Sequence, residues 1–259
     1  MAAVGREGVN AADALGERDA PRGPGVVSWS GGKDSALALR EVRRAGLAVA
    51  GLLTTVTEGY ERVSMHGVRR ELLQLQADAA GLPLTEVRIP PACPHEVYEQ
   101  RMGSAVRRLV AGGARWFAFG DLFLSAVRAY RERQLAPSGA EPVFPLWGRD
   151  TSALGREFID LGFRAVLCTV DPRRLARSFA GRDYDLPLLR DLPPDVDPCG
   201  ENGEFHSFVW DGPILARPVA IARGVVVERD GFVFADLVPC GAAGSDAAPP
   251  PSPRPPSRG

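Results

Sequence analysis

The sequence has few cysteines and histidines and no excess of charge of either sign. Four cysteines and three histidines occur among 259 residues, and the formal net charge is −1. No two cysteines form a Cys-x-x-Cys pair, so zinc-binding and thioredoxin-like interpretations have no support. No overall basicity attracts nucleic acid or a membrane surface, and no apolar run approaches the ~18 residues that span a bilayer. An apolar signal-peptide core is also missing, so we predict a cytoplasmic protein with reduced thiols.

Both ends lack the apolar periodicity of folded segments. Residues 1–24 are rich in Ala, Gly and charge, and residues 241–259 run into Pro-rich sequence. Such segments bury too little apolar surface to offset the entropy lost on ordering. We therefore predict disordered tails at 1–24 and 241–259. The heavy use of Ala, Arg, Gly and Pro favours a bacterial source with a GC-rich genome.

Strands and helices alternate between these tails. Strands are predicted at 26–28, 48–56, 84–89 and 116–119, and a helix follows each of them, at 35–45, 68–80, 95–112 and 124–134. This pattern is typical of a parallel sheet with helices on both faces, which binds ligands beyond the carboxyl ends of its strands. The second part is predicted to contain strands at 142–146 and 163–170, helices at 151–161 and 172–180, and a hairpin over 219–237.

A Ser-Gly-Gly-Lys-Asp-Ser turn, residues 30–35, links the first predicted strand to the first helix. Its glycines let backbone N–H groups approach an anion closely, and the helix N-terminus adds positive potential. Two serine hydroxyls are further donors, and Lys33 adds a mobile positive charge. The spacing is that of neither a Walker A loop nor a Gly-x-Gly-x-x-Gly loop. The turn predicts a phosphate or pyrophosphate site, against the alternative of a flexible, capped loop.

Four segments together resemble one protein family. The turn at 30–35 resembles the pyrophosphate loop (PP-loop) of ATP pyrophosphatases, which cleave ATP between its α and β phosphates. The other segments are similar to elements of the diphthine–ammonia ligase family, also called diphthamide synthase: Asp197 to Ser207, Phe119 to Leu122 with Arg128 to Glu132, and Pro145 to Thr151. The resemblance spans residues 25–215.

The resemblance implies an α/β fold with two domains. A parallel-sheet, HUP-type (adenine nucleotide alpha hydrolase-like) ATP-binding domain is expected at 25–136, and a smaller α+β substrate domain at 137–240. Members of this family use ATP to adenylate the carboxylate of diphthine on elongation factor 2, and ammonia then displaces AMP. The implied cofactors are ATP and Mg²⁺, and the implied partners are ammonia and an acceptor carboxylate. Arg62 to Gly67 and Gly120 to Leu122 depart from the substrate-bearing members, which leaves the acceptor open.

The predicted site residues fall into three groups. Those expected to bind ATP are Ser28, Ser30, Gly31, Gly32, Lys33, Asp34, Ser35, Thr54, Gly120 and Asp121. Those expected to act in catalysis are Lys33, Asp34, Glu201, Glu204 and His206. Those expected to bind substrate are His66, Arg128, Arg131, Glu132 and Gly203. Asp34 is the predicted metal ligand, because Mg²⁺ usually takes one or two carboxylates together with phosphate oxygens.

Several of these residues also have a purely structural interpretation. Glu201 and Glu204 either bind Mg²⁺ or ammonium, act as a base, or form a solvated acidic turn. His206 follows Glu204 by two residues on a predicted strand, so the pair is expected to share a face. Arg128 and Glu132 lie at i, i+4, a spacing often occupied by a simple surface ion pair.

Three functions remain open at the level of sequence. An amide ligase is favoured by the resemblance. A PP-loop tRNA-modifying enzyme would need a basic face and a catalytic cysteine pair, and the near-neutral charge and scattered cysteines count against it. A nucleotide-binding sensor would bind ATP without turnover, and the acidic turn at 201–204 favours catalysis instead. The oligomeric state is open, with a homodimer among the options.

Overall fold

The computed structural model describes residues 21–59, 61–63 and 66–240. The predicted tails at 1–24 and 241–259 lie outside these residues, apart from 21–24. Six α-helices are found in the described part: α1 Lys33–Arg44, α2 Arg70–Ala80, α3 His95–Ala111, α4 Ser125–Leu135, α5 Thr151–Asp160 and α6 Leu186–Asp191. The strands there are β1 Gly25–Ser28, β2 Val49–Thr57, β3 Arg62–Val63, β4 Leu84–Ile89, β5 Trp116–Ala118, β6 Glu141–Val143, β7 Arg164–Val170, β8 Phe205–Asp211, β9 Ile221–Arg229 and β10 Phe232–Pro239.

The first sheet is mostly parallel and has β1 at its centre. β1 pairs in parallel with β2 on one side and with β5 on the other, β4 extends the sheet beyond β2, and β6 extends it beyond β5. Val26 and Val27 of β1 are buried on opposite faces, as expected for a strand covered on both sides. The predicted α/β fold with a parallel sheet is confirmed. The strand near 142, which the sequence groups with the second part, joins this first sheet.

The second sheet is antiparallel, in the order β8-β7-β10-β9. The predicted hairpin is confirmed: β9 and β10 pair around Asp230 and Gly231, whose φ angles of 52° and 79° suit a tight turn. The helix predicted at 172–180 is wrong, and a short 3₁₀ turn forms at Arg177–Phe179 instead. The Asp171 carboxylate accepts the Arg173 amide at 3.0 Å and closes a local turn there. The sequence analysis also missed α6, which Asp185 caps.

The loop between β2 and α2 differs from its prediction. A short antiparallel strand, β3, pairs with the end of β2. The helix predicted from Val68 begins only at Arg70, because Arg69 is extended and forms an antiparallel bridge with Arg62. Ser64 and Met65, within a segment that departs from the family pattern, lie outside the described residues. His66 lies in the loop that precedes α2.

The two sheets share one continuous hydrophobic core. Buried Val27 and Leu37 of the first sheet and its helix belong to the same cluster as Leu167 and Phe208 of the second. Backbone hydrogen bonds also cross between the two parts, from Val209 N to the Gly31 carbonyl at 2.9 Å among others. β8 is thereby held against the loop that follows β1. Among the described residues, none of the helices combines the length and the apolar character that crossing a membrane requires.

Candidate active site

A cavity of about 400 Å³ opens at the carboxyl ends of β1, β2 and β5. Parallel sheets place ligands at this edge, and the volume suits a small-molecule site. Two segments that contact each other supply walls of the cavity, the turn at 30–35 and the segment 199–207 that leads into β8. The predicted residues that line it are Ser28, Ser30, Gly32, Lys33, Asp34, Ser35, Thr54, His66, Gly120, Asp121, Arg131, Glu201, Gly203 and His206.

The turn at 30–35 presents Gly32 to the cavity and turns Gly31 away from it. Gly31 has a φ of 79°, a left-handed conformation that glycine adopts without strain. The Gly32 N–H lies 3.3 Å from Ser30 Oγ, and the Ser35 hydroxyl donates to the Gly32 carbonyl at 2.9 Å. A Cβ on Gly32 would lie 3.0 Å from the Ser207 carbonyl oxygen. The turn therefore packs closely against β8 at Gly32, and a side chain there would press on the Ser207 carbonyl.

Lys33 is buried, and its ammonium is fixed by neighbouring acceptors. Nζ lies 2.8 and 2.7 Å from the two carboxylate oxygens of Asp34, and it also donates to the Cys199 carbonyl. The expectation of a mobile charge is therefore wrong, because Lys33 bridges the two walls of the cavity. Burial alone would lower the pKa of Lys33, but the Asp34 carboxylate outweighs burial and raises it. The ammonium stays charged within the wall of the cavity.

Asp34 faces the cavity with a side chain that is 28% exposed. Its hard carboxylate oxygens are of the type that Mg²⁺ prefers. Across the described residues, no group of three or more His, Cys, Asp or Glu side chains is arranged to hold a metal ion. The site therefore fits a metal held by one carboxylate together with oxygens from a bound nucleotide. It does not fit a metal held by the protein alone.

Glu201 lines the cavity and links it to the loop after β5. Its carboxylate accepts the backbone N–H groups of Leu122, at 2.8 Å, and Phe123, at 3.4 Å. Burial raises the pKa of Glu201 from the ordinary value of 4.5 to about 7, against the lowering effect of these hydrogen bonds. A carboxyl group that titrates near neutrality inside a cavity is suited to proton transfer.

Glu204 does not line the cavity, although the sequence groups it with Glu201. Its side chain is fully buried, and Oε1 accepts the Asp197 N–H at 3.2 Å and the Asn202 side-chain amide at 3.0 Å. Glu204 precedes β8, so the strand alternation that would place it on the face of His206 does not apply. Neither the catalytic interpretation nor that of a solvated turn describes this geometry. Glu204 shapes the turn that carries Glu201.

The two histidines of the cavity stack on each other. The ring centroids of His66 and His206 are 4.3 Å apart, with an interplanar angle of 31°. Burial, together with the neighbouring His66 and Lys33, holds the pKa of His206 well below its usual value. His206 is therefore a neutral imidazole at physiological pH, available as a hydrogen-bond donor or acceptor.

The residues predicted on α4 divide into two sets. Arg131 lines the cavity, with Nε 3.5 Å from Asp121 Oδ2. Arg128 and Glu132 lie outside it, paired at 2.9 Å, and the Arg128 guanidinium lies over the rings of Phe144 and Trp147. Asp121 Oδ2 and Arg131 Nε form their ion pair without a well-aligned hydrogen bond, and Thr54 Oγ1 is buried at the cavity without a hydrogen-bond partner in the described part of the chain. Such atoms are expected to bond a polar ligand or water.

The sequence analysis missed several residues that line the cavity: Thr55, Tyr98, Met102, Gly200, Phe205 and Ser207. Tyr98 and Met102 lie one helical turn apart on α3, a spacing that also marks ordinary core positions. Ser207 Oγ accepts the Lys33 backbone N–H at 3.2 Å, across 174 positions of sequence. Cys199 contributes a backbone carbonyl. Side-chain pattern alone cannot reveal contacts of these kinds.

The parallel sheet, the Ser-Gly-Gly-Lys-Asp-Ser loop and the cavity beside it define an ATP-binding α/β protein of the PP-loop class. The model of the diphthamide synthase N-terminal domain matches residues 24–135, and that of the diphthamide synthase C-terminal domain matches residues 150–232. The chain therefore belongs to the diphthamide synthase family.

Relatives with known names agree with this assignment. The chain is 26% identical to the diphthine–ammonia ligase of Danio rerio over 234 residues, which cover 80% of this chain and 90% of the relative. It is 25% identical to the diphthine–ammonia ligase of Homo sapiens over 233 residues, covering 80% and 86% of the two chains. A solved structure described as a predicted subunit of tRNA methyltransferase from Methanocaldococcus jannaschii aligns with a TM-score of 0.38 and 15% identity. It covers 72% of this chain and 96% of the other.

Proposed function

We propose that this chain is an ATP-dependent amide ligase of the diphthine–ammonia ligase type. It would join an acceptor carboxylate to ATP, releasing pyrophosphate, and ammonia would then displace AMP to leave an amide. One observation carries the proposal. The Lys33 ammonium contacts both Asp34 of the phosphate-binding loop and the Cys199 carbonyl beside the Glu201 turn. Nucleotide phosphates and a proton-transfer group would therefore meet in one cavity.

The first step requires stabilisation of charge on the pyrophosphate leaving group. A carboxylate is a poor electrophile, and adenylation supplies a leaving group that ammonia can displace. The Gly32 N–H, the Ser30 and Ser35 hydroxyls and the buried Lys33 charge lie together on one wall. Preorganised donors of this kind stabilise developing negative charge because they need no rearrangement during the reaction. We propose that these groups hold the phosphates and that Asp34 holds Mg²⁺, which when bound neutralises phosphate charge.

The second step requires an unprotonated amine. Glu201, with a pKa of about 7, is the proposed base that removes a proton as nitrogen attacks the acyl adenylate. His206, neutral and 4.3 Å from His66 between ring centroids, is proposed to orient the acceptor. The acyl adenylate and ammonia then yield the amide, AMP and one proton. Residues 137–240 are proposed to supply most of the acceptor-binding surface.

Cysteine chemistry receives no support as an alternative. A sulfur-transferring PP-loop enzyme needs a thiolate nucleophile at neutral pH. Burial raises the pKa values of Cys168 and Cys199 to about 12. The Cys199 thiol also points toward the Thr151 carbonyl, which it contacts at 3.4 Å. These two thiols are therefore packing groups.

Product analysis tests the proposed function. The protein is incubated with α-labelled ATP, Mg²⁺, ammonium and a lysate of its host, and AMP is separated from ADP. We expect AMP that depends on the lysate and on ammonium and that disappears in Asp34→Asn. Asp230→Asn, the same chemical change in an exposed hairpin turn, serves as the matched control and should leave AMP formation unchanged. Release of ADP without AMP would overturn the proposal.

A further inference from the structure

Gln76 is a fully buried polar side chain on α2 that contacts the phosphate-binding loop from behind. Its amide nitrogen donates to the Gly31 carbonyl at 3.0 Å and also to the Val209 carbonyl. Its amide oxygen accepts the indole N–H of Trp29 at 3.1 Å. Both donors and one acceptor position are thus satisfied by Trp29, which follows β1, by Gly31 of the loop and by Val209 of β8. A side chain bonded in this way has little rotational freedom.

The Gly31 carbonyl, which accepts from Gln76, belongs to the same peptide group as the N–H of Gly32. In a trans peptide the C=O of one residue and the N–H of the next point in opposite directions. The Gly31 carbonyl points away from the cavity, where Gln76 and the Val209 N–H both donate to it. The Gly32 N–H therefore points toward the cavity side, where Ser30 and Gly32 lie on the wall. Rotating that peptide would break two hydrogen bonds in the interior.

The loop's own sequence constrains this peptide only weakly, since its contact there is a long hydrogen bond of 3.3 Å from the Gly32 N–H to Ser30 Oγ, which leaves the Gly31 carbonyl to groups outside the loop. Glycine adopts left-handed and right-handed conformations with similar ease, so Gly31 does not fix the peptide. A Cβ at Gly31 would lie 2.5 Å from Leu73 Cδ2 and 2.7 Å from Gln76 Oε1. A stiffer residue is therefore excluded by the helix that supplies Gln76. The constraint that glycine lacks comes from Gln76 of α2, together with the Val209 N–H of β8.

We infer that Gln76 is a positioning residue for nucleotide phosphates, which it serves by fixing the Gly31–Gly32 peptide with its N–H toward the cavity. The inference rests on the proposed function, because it takes 30–35 as the phosphate-binding loop. Gln76 touches no substrate, since it lies behind the loop. Its effect should follow the phosphate groups of the ligand, whereas a general loss of packing would weaken every ligand alike.

Binding measurements with three probes separate these effects. Inorganic pyrophosphate, ATP and adenosine are titrated into the wild-type protein and Gln76→Met by calorimetry in the presence of Mg²⁺. Gln76→Met keeps the length of the side chain and removes its hydrogen bonds. The matched control is Arg43→Met, since Arg43 also bridges two backbone carbonyls, those of Ala80 and Ile214, away from the cavity.

We expect the dissociation constants for pyrophosphate and ATP to rise about tenfold in Gln76→Met, which is the size of one lost charge-assisted hydrogen bond. Adenosine binding should change less than about twofold, and Arg43→Met should match the wild type for all three probes. Equal weakening of adenosine and pyrophosphate would overturn the inference, and so would unchanged pyrophosphate binding.

Gln76→Glu provides a second test if Gln76→Met does not fold. A buried carboxyl group facing the Gly31 and Val209 carbonyls is favoured in its protonated form, which can donate one hydrogen bond. Pyrophosphate binding by Gln76→Glu, taken relative to the wild type at each pH, should therefore strengthen as the pH falls. A ratio that does not change with pH counts against the inference. These assays need no turnover, so a wild-type protein that binds pyrophosphate but makes no AMP would refute only the proposed function.

Discussion

Lys33 and Asp34, adjacent in sequence, form an ion pair of 2.7 Å in which the two partners differ sharply in exposure. The Lys33 side chain is 3% exposed and that of Asp34 is 28% exposed. The Lys33 ammonium donates to the Asp34 carboxylate and also to the Cys199 carbonyl, so two acceptors hold the buried cation. The buried cation depends on its partner more than the half-buried carboxylate does. This asymmetry gives the first prediction.

Asp34→Ala should destabilise the protein more than Lys33→Met. Removing Asp34 leaves a buried ammonium with only a carbonyl acceptor, which costs about 3 kcal/mol. Removing Lys33 leaves a carboxylate that is 28% exposed and whose pKa burial already raises, so partial hydration and protonation hold the cost to about 1 kcal/mol. Both variants should lose AMP formation by at least ~100-fold, because each removes part of the charge that stabilises the leaving group. Urea denaturation gives the stabilities, and labelled ATP gives the activity.

The control for this comparison is an exposed ion pair. Asp191→Ala removes the carboxylate that lies 2.6 Å from Arg182, and it should change the free energy of unfolding by less than ~0.5 kcal/mol. If Lys33→Met lowers the free energy of unfolding as much as Asp34→Ala does, the prediction is wrong, and the difference in side-chain exposure does not set the cost of losing the partner.

Glu201 should give the reaction a pH dependence near neutrality. With a pKa of about 7, its carboxyl group becomes a competent base as the pH rises through that value. We expect kcat/KM for the nitrogen donor, expressed per unprotonated ammonia, to rise with an inflection near pH 7. Glu201→Gln should remove the inflection and lower the rate by about 100-fold. An unaltered pH profile in Glu201→Gln would assign proton transfer to another group.

The same group makes stability depend on pH with a defined sign. The folded-state pKa of Glu201 is raised from 4.5 to about 7, so the folded protein holds this proton more tightly than the unfolded chain does. Its contribution to the free energy of unfolding is fully present below about pH 4.5 and is lost as the pH rises through about 7. The stability difference between Glu201→Gln and the wild type should therefore grow in favour of the variant between about pH 5 and pH 8. Urea melts of both proteins at the two pH values measure it.

The sequence predicts local elements of the site better than its long-range contacts. The turn at 30–35 and the hairpin at Asp230-Gly231 follow from local backbone chemistry, and the structure contains both. The bond between Lys33 N and Ser207 Oγ joins residues 174 positions apart and leaves no periodic signal. Glu201 and Glu204 lie on either side of Gly203 in the sequence, yet Glu204 is fully buried whereas Glu201 lines the cavity. Sequence spacing predicts a face only within a regular strand or helix, and Glu204 lies in a turn.

Gly120→Ala should disturb the start of α1, and with it the proposed phosphate-binding loop, from the segment that follows β5. A Cβ at Gly120 would lie 2.8 Å from the carbonyl carbon of Asp34, so the start of α1 must shift. Backbone cannot yield as a flexible side chain does, and overpacking of this kind costs about 1–3 kcal/mol. We expect ATP binding to weaken by at least about tenfold, measured by calorimetry.

Gly103→Ala is the matched control, because Gly103 lies within α3 and a Cβ there would meet only the end of the Arg107 side chain, at 3.3 Å. Alanine in a helix interior is favoured over glycine by up to ~1 kcal/mol, so Gly103→Ala should be neutral or stabilising. Wild-type ATP affinity in Gly120→Ala would show that the loop tolerates movement of α1.

Cys199→Ala should keep most of the activity, and this result separates amide ligation from sulfur transfer. The Cys199 carbonyl accepts from Lys33, whereas its thiol, with a pKa of about 12, packs toward Thr151. Alanine retains the carbonyl and removes only the sulfur, which should cost about 1–2 kcal/mol of stability in a buried position. We expect AMP formation within about threefold of the wild type, because no step of the proposed reaction passes through the thiol.

Cys168→Ala, buried and outside the cavity lining, is the matched control for the lost sulfur. Near-UV circular dichroism checks that the variants are folded. If folded Cys199→Ala loses all AMP formation and Cys168→Ala does not, a thiol-dependent reaction is favoured over amide ligation.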